Sequence, residues 1–327
     1  MPTSIILGTG AYAPDRVLTN ADLERMVATN GDWIVSRTGI RERRIAADDE
    51  ATSDLAAAAA RQALDYAGVA PEDVDMIIVA TVTGDTPTPA CATHVQALLG
   101  AKKACAFDIG AACAGSLYGL TIADQFIRSG TMRHVLVIGA ETLSRFVDWS
   151  NRETCVLFGD AAGALLLGAS EEPDHGLLAS TLRTDGTLTG ILGIYGGGSR
   201  RPLSPDLLAD NGAKIKMRGR EVYKFATRVL PEVVAETLSK ANLTAADVTH
   251  VISHQANLRI LEYALDTLGV ALEKCWINID RYGNTSSASM PITLDEANRA
   301  GKLKKGDVIA MMAMGAGMTW GGAIWRW

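Results

Sequence analysis

The feature that most constrains this chain is a repeat of its own sequence. The segment AGVAPEDVDMIIVAT (residues 67–81) is matched by ANLTAADVTHVISHQ (residues 241–255), and LGAKKACAFDI (residues 99–109) is matched by LGVALEKCWINI (residues 268–279). The first pair has the pattern of a helix end, a turn and a buried strand, and the second that of a helix, Leu-Gly and another strand. The chain is therefore predicted to contain two copies of one unit.

The spacing of this repeat is nearly constant. Asp73 matches Asp247, 174 positions later, and Cys105 matches Cys275, 170 positions later. Further apolar strand patterns, separated by helical patterns, occupy residues 4–10, 134–141 and 307–317. Strands that are apolar throughout are covered on both faces in layered α/β proteins. We therefore predict an α/β fold of two similar halves, residues 1–172 and residues 173–327.

Charge and composition exclude several classes of function. The 327 residues carry a formal net charge of −6, so nucleic acid is not an expected partner. The chain has no run of about 18 apolar residues and no N-terminal leader pattern, which predicts a cytoplasmic protein that does not enter a membrane. Five cysteines without paired spacing predict reduced thiols and no zinc site.

One cysteine is distinguished by its surroundings. In AFDIGAACAGSLYGL (residues 106–120), Cys113 lies between a predicted strand and a predicted helix, flanked by alanine and glycine. A buried structural thiol is the ordinary interpretation of a free cysteine. However, a helix start lowers the pKa of a thiol, and small neighbours let a thioester approach the backbone N–H. The pattern favours a nucleophile that accepts an acyl group, and we expect a lowered pKa for Cys113.

The repeat links two more side chains to this cysteine. Shifted by 170 positions, Cys113 corresponds to Gly283, the neighbour of Asn284. Shifted by 174 positions, Ala80 at a strand end corresponds to His254. Taken singly, His254 is ordinarily a satisfied histidine at a strand end, and Asn284 is ordinarily a turn residue. A pseudo-two-fold axis would bring both to Cys113, which predicts one site assembled from distant parts of the chain.

Six short motifs are distributed along the sequence. They are DWIVSRTGIRERR (residues 32–44), AACAG (111–115), FGDAAGA (158–164), HQANLRI (254–260), YGNTSSAS (282–289) and GAGMTWG (315–321). In this order and spacing they resemble the β-ketoacyl-acyl-carrier-protein synthase III family of thiolase-like condensing enzymes, over essentially the whole chain. The resemblance implies a homodimer with a thiolase-like fold, in which two pseudo-symmetric α/β halves form α-β-α-β-α layers.

The resemblance also implies catalytic roles. Cys113 would be the nucleophile, and His254 and Asn284 would promote decarboxylation. The backbone N–H groups of Cys113 and Ala316 would form the oxyanion hole. Elongating relatives have a second histidine in place of Asn284, and thiolases have a second cysteine near the C-terminus, where residues 312–322 have none. These differences imply a decarboxylative, irreversible reaction. No metal or redox cofactor is expected, because the sequence has no clustered His/Cys/Asp ligand set and decarboxylation drives the reaction.

Three sets of binding residues follow from the same resemblance. The expected coenzyme A contacts are Thr29, Trp33, Arg37, Arg152, Ala256 and Asn257. The expected docking patch for the acidic carrier protein is Lys224, Arg228 and Arg259. Thr88 stands where short-chain members have a phenylalanine that closes the acyl pocket, so primers longer than acetyl are expected. Without the resemblance, Trp33 is equally a packing residue, and the basic side chains are ordinary surface charges.

We therefore expect an acyltransferase that condenses an acyl-CoA primer with malonyl-acyl-carrier protein and initiates fatty acid biosynthesis. Two alternatives stay open. A priming ketosynthase or acyltransferase of a polyketide pathway has the same motifs. A catalytically silent subunit that binds the carrier protein is a different class of function, but it would be expected to lose the nucleophile, and Cys113, His254 and Asn284 are all present.

Overall fold

A computed structural model describes residues 3–172 and 174–327 of the chain. Within these ranges the strands are β1 (Thr3–Tyr12), β2 (Val17–Thr19), β3 (Glu42–Arg44), β4 (Met76–Ala80), β5 (Cys105–Ile109), β6 (His134–Glu141), β7 (Ala161–Ser170), β8 (Gly176–Thr184), β9 (Leu192–Ile194), β10 (Ile215–Met217), β11 (His250–Ser253), β12 (Val308–Gly315) and β13 (Thr319–Arg326). The helices are α1 (Asn20–Met26), α2 (Gly31–Thr38), α3 (Thr52–Ala67), α4 (Cys91–Leu99), α5 (Gly115–Arg128), α6 (Pro205–Ala209), α7 (Gly219–Lys240), α8 (Leu258–Leu268), α9 (Ile279–Tyr282) and α10 (Ser289–Arg299).

The first half is built on a five-stranded sheet with the order β1-β7-β6-β4-β5. β4 runs parallel to β5 and β6, whereas β7 runs antiparallel to β6 and β1. Every residue of β4 is buried, as predicted for a strand that is apolar throughout and covered on both faces. β5 is the edge strand, and its first residue, Cys105, is exposed.

The second half repeats this strand order in a four-stranded sheet. The order β8-β13-β12-β11 matches β1-β7-β6-β4, and the paired strands run in the same relative directions. The sequence repeat is therefore a repeat of structure.

The strand predicted to follow Leu-Gly in the second half is reduced to a single bridge. Where the first half has β5, only Cys275 pairs with β11, through Val251. The side chain of Gln255 forms hydrogen bonds with the backbone that follows Cys275. Its Nε2 donates to the Trp276 carbonyl at 2.7 Å, and its Oε1 accepts from the Asn278 N–H at 3.3 Å. The prediction of a full strand is wrong because a side chain takes the hydrogen bonds that a ladder would use.

Helices form three layers around the two sheets. α3 and α4 pack on the outer face of the first sheet, in a core that includes Leu55 and Val95. α5 and α10 lie between the sheets, where Leu117 and Met290 join a core shared by β4, β6, β11 and β12. α7 and α8 pack on the second sheet in a third core. These α-β-α-β-α layers confirm the predicted fold class.

The predicted boundary between the halves, at residues 172 and 173, falls in the connection between β7 and β8. This boundary stays a prediction, and residue 173 lies outside the described residues. In the described ranges, no helix is both long enough and apolar enough to cross a bilayer.

Each half has a 3₁₀ turn that leads into a helix of the central layer. Ala112–Ala114 precedes α5, and Ser286–Ala288 precedes α10. These turns lie 174 positions apart, so Cys113 corresponds to Ser287, and its predicted match with Gly283 is wrong. The four-residue helix α9, which precedes the second turn, accounts for the shift from an offset of 170 to one of 174.

Candidate active site

A cavity of about 960 Å³ opens between the two halves. Its wall includes Cys113 from the first half and His254 and Asn284 from the second. Cys113 lies in the 3₁₀ turn before α5, His254 follows β11, and Asn284 follows α9. The fold thus brings together the three side chains that the repeat suggested.

Two glycines set the position of Cys113. A Cβ atom on Gly315, at the end of β12, would lie 2.5 Å from the backbone nitrogen of Cys113. A Cβ atom on Gly115 would lie 2.8 Å from the Cβ atom of Ala80, at the end of β4. Both distances are shorter than side-chain contacts allow. The turn of Cys113 can therefore lie this close to the ends of β4 and β12 only because neither glycine has a side chain.

The thiol of Cys113 has a raised pKa, contrary to the prediction. Although part of the side chain reaches the cavity, burial raises its pKa to about 12, and the negative charge of Glu141 acts in the same direction. Hydrogen bonds from the Ser286 side chain and from the Cys113 backbone lower the pKa by less. The predicted low pKa is wrong because desolvation of the turn outweighs the favourable end of α5. The thiol is protonated at neutral pH.

A shared hydroxyl joins the two loops of the expected oxyanion hole. The Thr319 hydroxyl lies 2.9 Å from the Ala111 carbonyl and 3.2 Å from the Ala316 carbonyl, and its one hydrogen is shared between these two oxygens. Ala111 precedes the turn of Cys113, and Ala316 follows β12. The contact therefore fixes the backbone of Ala316 relative to Cys113, although Ala316 itself is not part of the cavity wall.

His254 is a buried, neutral histidine at the base of the cavity. Its backbone N–H donates to the Met312 carbonyl at 2.9 Å, which extends the pairing of β11 with β12. Burial lowers its pKa to about 4, and a hydrogen bond to the Ser286 backbone opposes this shift by less. The ring therefore carries a single N–H at neutral pH. Its Nδ1 lies 2.7 Å from the Ser289 hydroxyl, so Nε2 is left for a ligand in the cavity.

Hydrogen bonds on both sides fix Asn284. Its backbone N–H donates to the Leu157 carbonyl at 2.8 Å, and its own carbonyl accepts from the Gly159 N–H at 3.0 Å. Its side-chain Oδ1 accepts from the Ser286 N–H at 2.9 Å. Because the amide oxygen is engaged, the Nδ2 group is the part of the side chain that can donate to a ligand.

A buried carboxylate lies behind this site. Glu141, the last residue of β6, is fully buried, and burial raises its pKa to about 7. It accepts hydrogen bonds at 2.6–3.3 Å from Thr81, Val82, Thr83, Ser286 and Ser287. Glu141 was not predicted from the sequence, although a carboxylate at the end of the apolar strand HVLVIGAE (residues 134–141) could have indicated it.

Trp33 and Arg152 form one side of the cavity mouth. α2 is capped by Asn30, which accepts from the Trp33 N–H at 3.0 Å. The guanidinium carbon of Arg152 lies 4.8 Å from the centre of a Trp33 ring, and Arg152 also donates to the Ala28 carbonyl at 3.0 Å. Since each stacking contact needs about 3.5 Å, a planar base can enter between the two side chains only if Arg152 moves.

Asn257 joins the two helices at the mouth. Its Oδ1 caps α8 by accepting from the Arg259 N–H, and its Nδ2 donates to the Arg37 carbonyl, each at 3.0 Å. The cap of α8 and the hydrogen bond between the two helices explain why asparagine suits position 257.

The Thr29 hydroxyl is buried and has no hydrogen-bond partner among the described residues.

The cavity wall includes most of the predicted binding residues. Those in the wall are Trp33, Arg37, Arg152, Ala256, Asn257 and Arg259. Those outside it are Thr29, Thr88, Lys224 and Arg228. No role was predicted from the sequence for four further charged residues in the wall, Glu153, Glu221, Arg218 and Arg220. The last two belong to KMRGR (residues 216–220), a basic run that could have indicated them.

Metal ligands were not expected from the sequence. In the part of the chain that the structure describes, no three histidine, cysteine or carboxylate side chains are grouped to bind a metal ion.

Comparisons with known proteins agree with this fold and site. Residues 107–186 match the family model described as 3-oxoacyl-[acyl-carrier-protein (ACP)] synthase III, and residues 238–327 match its C-terminal counterpart. The chain is 52% identical to the β-ketoacyl-[acyl-carrier-protein] synthase III of Caldanaerobacter subterraneus, over 98% of this chain and 97% of that protein.

Solved structures give the same result. The 3-oxoacyl-[acyl-carrier-protein] synthase III of Aquifex aeolicus is 47% identical and superposes with a TM-score of 0.92 over 100% of both chains. The priming β-ketosynthase of the R1128 polyketide pathway is 36% identical, with a TM-score of 0.92 over 99% of this chain and 96% of that one. The family, the thiolase-like fold and the class of enzyme predicted from the sequence are confirmed. The chain therefore belongs to the β-ketoacyl-acyl-carrier-protein synthase III family of condensing acyltransferases.

Proposed function

We propose that Cys113 takes an acyl group from an acyl-CoA and that this group is then condensed with malonyl-acyl-carrier protein, which initiates fatty acid biosynthesis. The observation that carries the proposal is the shared cavity wall of Cys113, His254 and Asn284. A silent carrier-binding subunit has no need for this convergence. The reaction is driven by loss of carbon dioxide and is written without a metal or redox cofactor.

In the first half-reaction, the Cys113 sulfur attacks the thioester carbonyl of the acyl-CoA. Because burial raises the pKa of this thiol, its proton leaves as the new C–S bond forms and ends on the sulfur of the released coenzyme A. The N–H groups of Cys113 and Ala316 donate to the oxygen that becomes negative. Thr319 supports this arrangement because it ties together the two loops that carry these donors.

In the second half-reaction, the malonyl thioester loses carbon dioxide, and negative charge develops on its thioester oxygen. Nδ2 of Asn284 and Nε2 of His254 donate to that oxygen. The enolate carbon then attacks the acyl group on Cys113, whose sulfur leaves and takes up a proton. The buried, neutral state of His254 supports this role, because the ring donates a hydrogen bond without ionising.

The mouth of the cavity suits the phosphates and adenine of coenzyme A. Five arginines and two glutamates line the cavity, which makes it locally positive on a chain with a net charge of −6. The adenine stacks on Trp33 after Arg152 moves aside, with Thr29, Arg37, Ala256 and Asn257 along the path to Cys113. Glu153 lies beside Arg152 and makes this part of the mouth less positive.

The carrier protein docks on the side of the mouth formed by α7 and α8. Arg259 lies over the Tyr223 ring at 5.8 Å, whereas Arg228 lies 3.7 Å from Glu232, which partly neutralises it. Lys224 and Arg259 therefore contribute most of the attraction for an acidic partner. Charge reversal of Lys224, which lies outside the cavity wall, should raise the KM for the carrier protein and leave that for acyl-CoA unchanged.

The chain acts as a homodimer in this proposal. β5 is an edge strand and can pair with the same strand of a second copy. Thr88 is exposed and lies outside the cavity wall, as expected for a residue that limits the acyl pocket of the partner.

A priming ketosynthase of a polyketide pathway is a second candidate, favoured by the 36% identity to the enzyme of the R1128 pathway. Both candidates use the same chemistry and differ in primer and product. A series of acyl-CoA primers, assayed with malonyl-acyl-carrier protein, separates them. Cell fractionation tests the cytoplasmic location, which stays part of this proposal.

Intact-mass measurement after mixing with acetyl-CoA and longer acyl-CoAs tests the nucleophile. We expect one acyl adduct on the wild type and on Cys105→Ala, which removes an exposed thiol, and no adduct on Cys113→Ala. An adduct that persists in Cys113→Ala, or no adduct on the wild type with any primer, contradicts the proposal.

A further inference from the structure

Ser286 has an unusual backbone conformation for a serine. Its φ is +52°, in the left-handed region that residues with a side chain rarely occupy. Ala112, at the corresponding position in the matching turn of the first half, has a φ of +46°. Both turns that lead into the central helices therefore begin with a left-handed residue that is not a glycine. Such a conformation persists only where the surrounding structure holds it.

The backbone of Ser286 fixes the side chain of Asn284. Its N–H donates to Oδ1 of Asn284 at 2.9 Å, which leaves Nδ2 as the donor to the cavity. A change in the φ of Ser286 would turn this N–H relative to the residues that follow, which α10 holds in place. The left-handed conformation of Ser286 is therefore a condition for the orientation of the Asn284 amide.

Glu141 makes a contact that can hold Ser286 in this conformation. The Ser286 hydroxyl donates to Oε1 of Glu141 at 3.0 Å, and both residues are buried. The other carboxylate oxygen is fixed in turn, because it accepts from the Thr83 hydroxyl at 2.6 Å and from the Val82 N–H at 3.2 Å. The nearby thiol of Cys113 is protonated and can donate to the Ser286 oxygen, so it does not compete for the one hydroxyl hydrogen.

We propose that Glu141 is a positioning residue that holds Ser286 in its left-handed conformation and thereby fixes Asn284 with Nδ2 towards the cavity. The inference rests on the proposed function only in its consequence, since Nδ2 is the donor assigned to the enolate oxygen. Glu141 suits this role because it ends β6, where the sheet fixes its backbone, and it lies behind the cavity wall rather than in it.

Alanine and glycine at position 286 separate this role from a loss of packing. Ser286→Ala removes the hydroxyl and keeps the Cβ atom that opposes a positive φ, whereas Ser286→Gly removes both. Decarboxylation of malonyl-acyl-carrier protein should fall on the order of 10–10² in Ser286→Ala, as for loss of a hydrogen bond to a charged group. It should be about tenfold faster in Ser286→Gly than in Ser286→Ala. Both variants lose the hydroxyl contact with Cys113, so acylation of Cys113 should differ little between them.

The next residue of the turn provides the matched control. Ser287 is buried, its hydroxyl donates to the Ala80 carbonyl at 2.7 Å, and its φ is negative. Glycine has no conformational advantage at such a position. Ser287→Gly should therefore decarboxylate the malonyl substrate no faster than Ser287→Ala.

Glu141→Gln tests the carboxylate itself. At pH 8, above its pKa of about 7, the Glu141 side chain of the wild type is ionised. The Val82 N–H can only donate, so it draws the glutamine oxygen and leaves the NH₂ group facing Ser286, whose hydroxyl then has to accept. This neutral contact is weaker, so decarboxylation should fall about tenfold. In Ser286→Gly, where no hydroxyl is left to hold, Glu141→Gln should cost less than about twofold further.

Urea unfolding at pH 8 supplies a readout without any substrate. Ser286→Gly should unfold at a higher urea concentration than Ser286→Ala, because it removes the Cβ atom that opposes the positive φ. Glu141→Gln should lower the unfolding midpoint by more in the wild type than in Ser286→Gly, because only the wild type has the hydroxyl that Glu141 binds.

Several results would overturn the proposal. They are a decarboxylation rate in Ser286→Gly no higher than in Ser286→Ala, or an effect of Glu141→Gln that is undiminished in Ser286→Gly. Equal losses of acylation and decarboxylation in Glu141→Gln would also overturn it, because Glu141 would then act on Cys113 rather than on Asn284. If the wild type is not acylated by any primer, the proposed function fails, whereas the urea comparison still decides whether Glu141 holds Ser286.

Discussion

Replacement of Gly315 by alanine should displace the nucleophile without altering any polar side chain. The added Cβ atom would lie 2.5 Å from the Cys113 nitrogen, 3.0 Å from the Ala112 Cβ atom and 3.1 Å from the Ala111 carbonyl oxygen. Ordinary contacts begin at 3.4 Å, so the turn must retreat by about 0.9 Å. Two of the three opposing atoms are backbone, which cannot rotate away.

The expected loss follows from this displacement. A misplacement of about 1 Å costs on the order of 10²-fold in rate when reacting groups must be aligned. Cys113 and its N–H serve both half-reactions, so acylation by acyl-CoA and decarboxylation of malonyl-acyl-carrier protein should fall together. Overpacking should also lower the free energy of unfolding by about 1–3 kcal/mol, measurable by urea denaturation.

A glycine in the loop that precedes Cys113 provides the matched control. Gly110 lies three residues before Cys113, and a Cβ atom there would meet nothing within 4 Å. Gly110→Ala should therefore retain the wild-type rates of both half-reactions. A wild-type acylation rate in Gly315→Ala, or an equal loss in Gly110→Ala, would refute the reasoning.

Four further predictions concern single groups. Asn284→Ala should slow decarboxylation on the order of 10²–10³ and acylation much less, and equal losses would show that the assigned role is wrong. Alkylation of Cys113 by iodoacetamide should accelerate through pH 9, because burial raises the pKa of the thiol to about 12; a plateau below pH 8, seen by peptide mapping, would contradict this. Thr88→Phe should shift the preference among acetyl-, hexanoyl- and decanoyl-CoA towards acetyl, and an unchanged profile would remove Thr88 from the acyl pocket. The pKa of Glu141 rises from 4.5 to about 7 on folding, so the folded state binds its proton more tightly and stability should fall by up to about 3 kcal/mol as pH rises between these values; urea unfolding should show this fall in the wild type and not in Glu141→Gln, and identical pH profiles would contradict it.

Local patterns were sufficient to predict much of the fold. β6 occupies the predicted residues 134–141, and β1 (Thr3–Tyr12) contains the predicted strand at residues 4–10, because both depend on side-chain periodicity along one segment. The bridge at Cys275 was mispredicted as a strand, because its ladder is replaced by hydrogen bonds from Gln255, which lies 20 positions away in the sequence.

The functional site shows the same difference between what local sequence patterns predict and what depends on contacts between distant residues. The repeat and the motifs indicated that Cys113, His254 and Asn284 would meet, and the cavity brings them together. The pKa of Cys113 was predicted in the wrong direction, because burial by the surrounding fold and the charge of Glu141 outweigh the effect of the adjacent helix start. Ser289 lay within a quoted motif, but its contact with the imidazole depends on packing between β11 and α10.

The missing fifth strand of the second half has a consequence for assembly. A chain made of two similar units could grow into filaments if each unit offered a sheet edge to the next molecule. The segment that contains Cys275 covers β11, and the opposite edges, β1 and β8, lie against each other within the chain. Among the edges of the two large sheets, in the residues that the structure describes, this leaves β5 for the pairing between copies that we propose. An edge that pairs with itself about a two-fold axis is used up in one encounter, so the proposed association through β5 would end at two molecules and would not propagate.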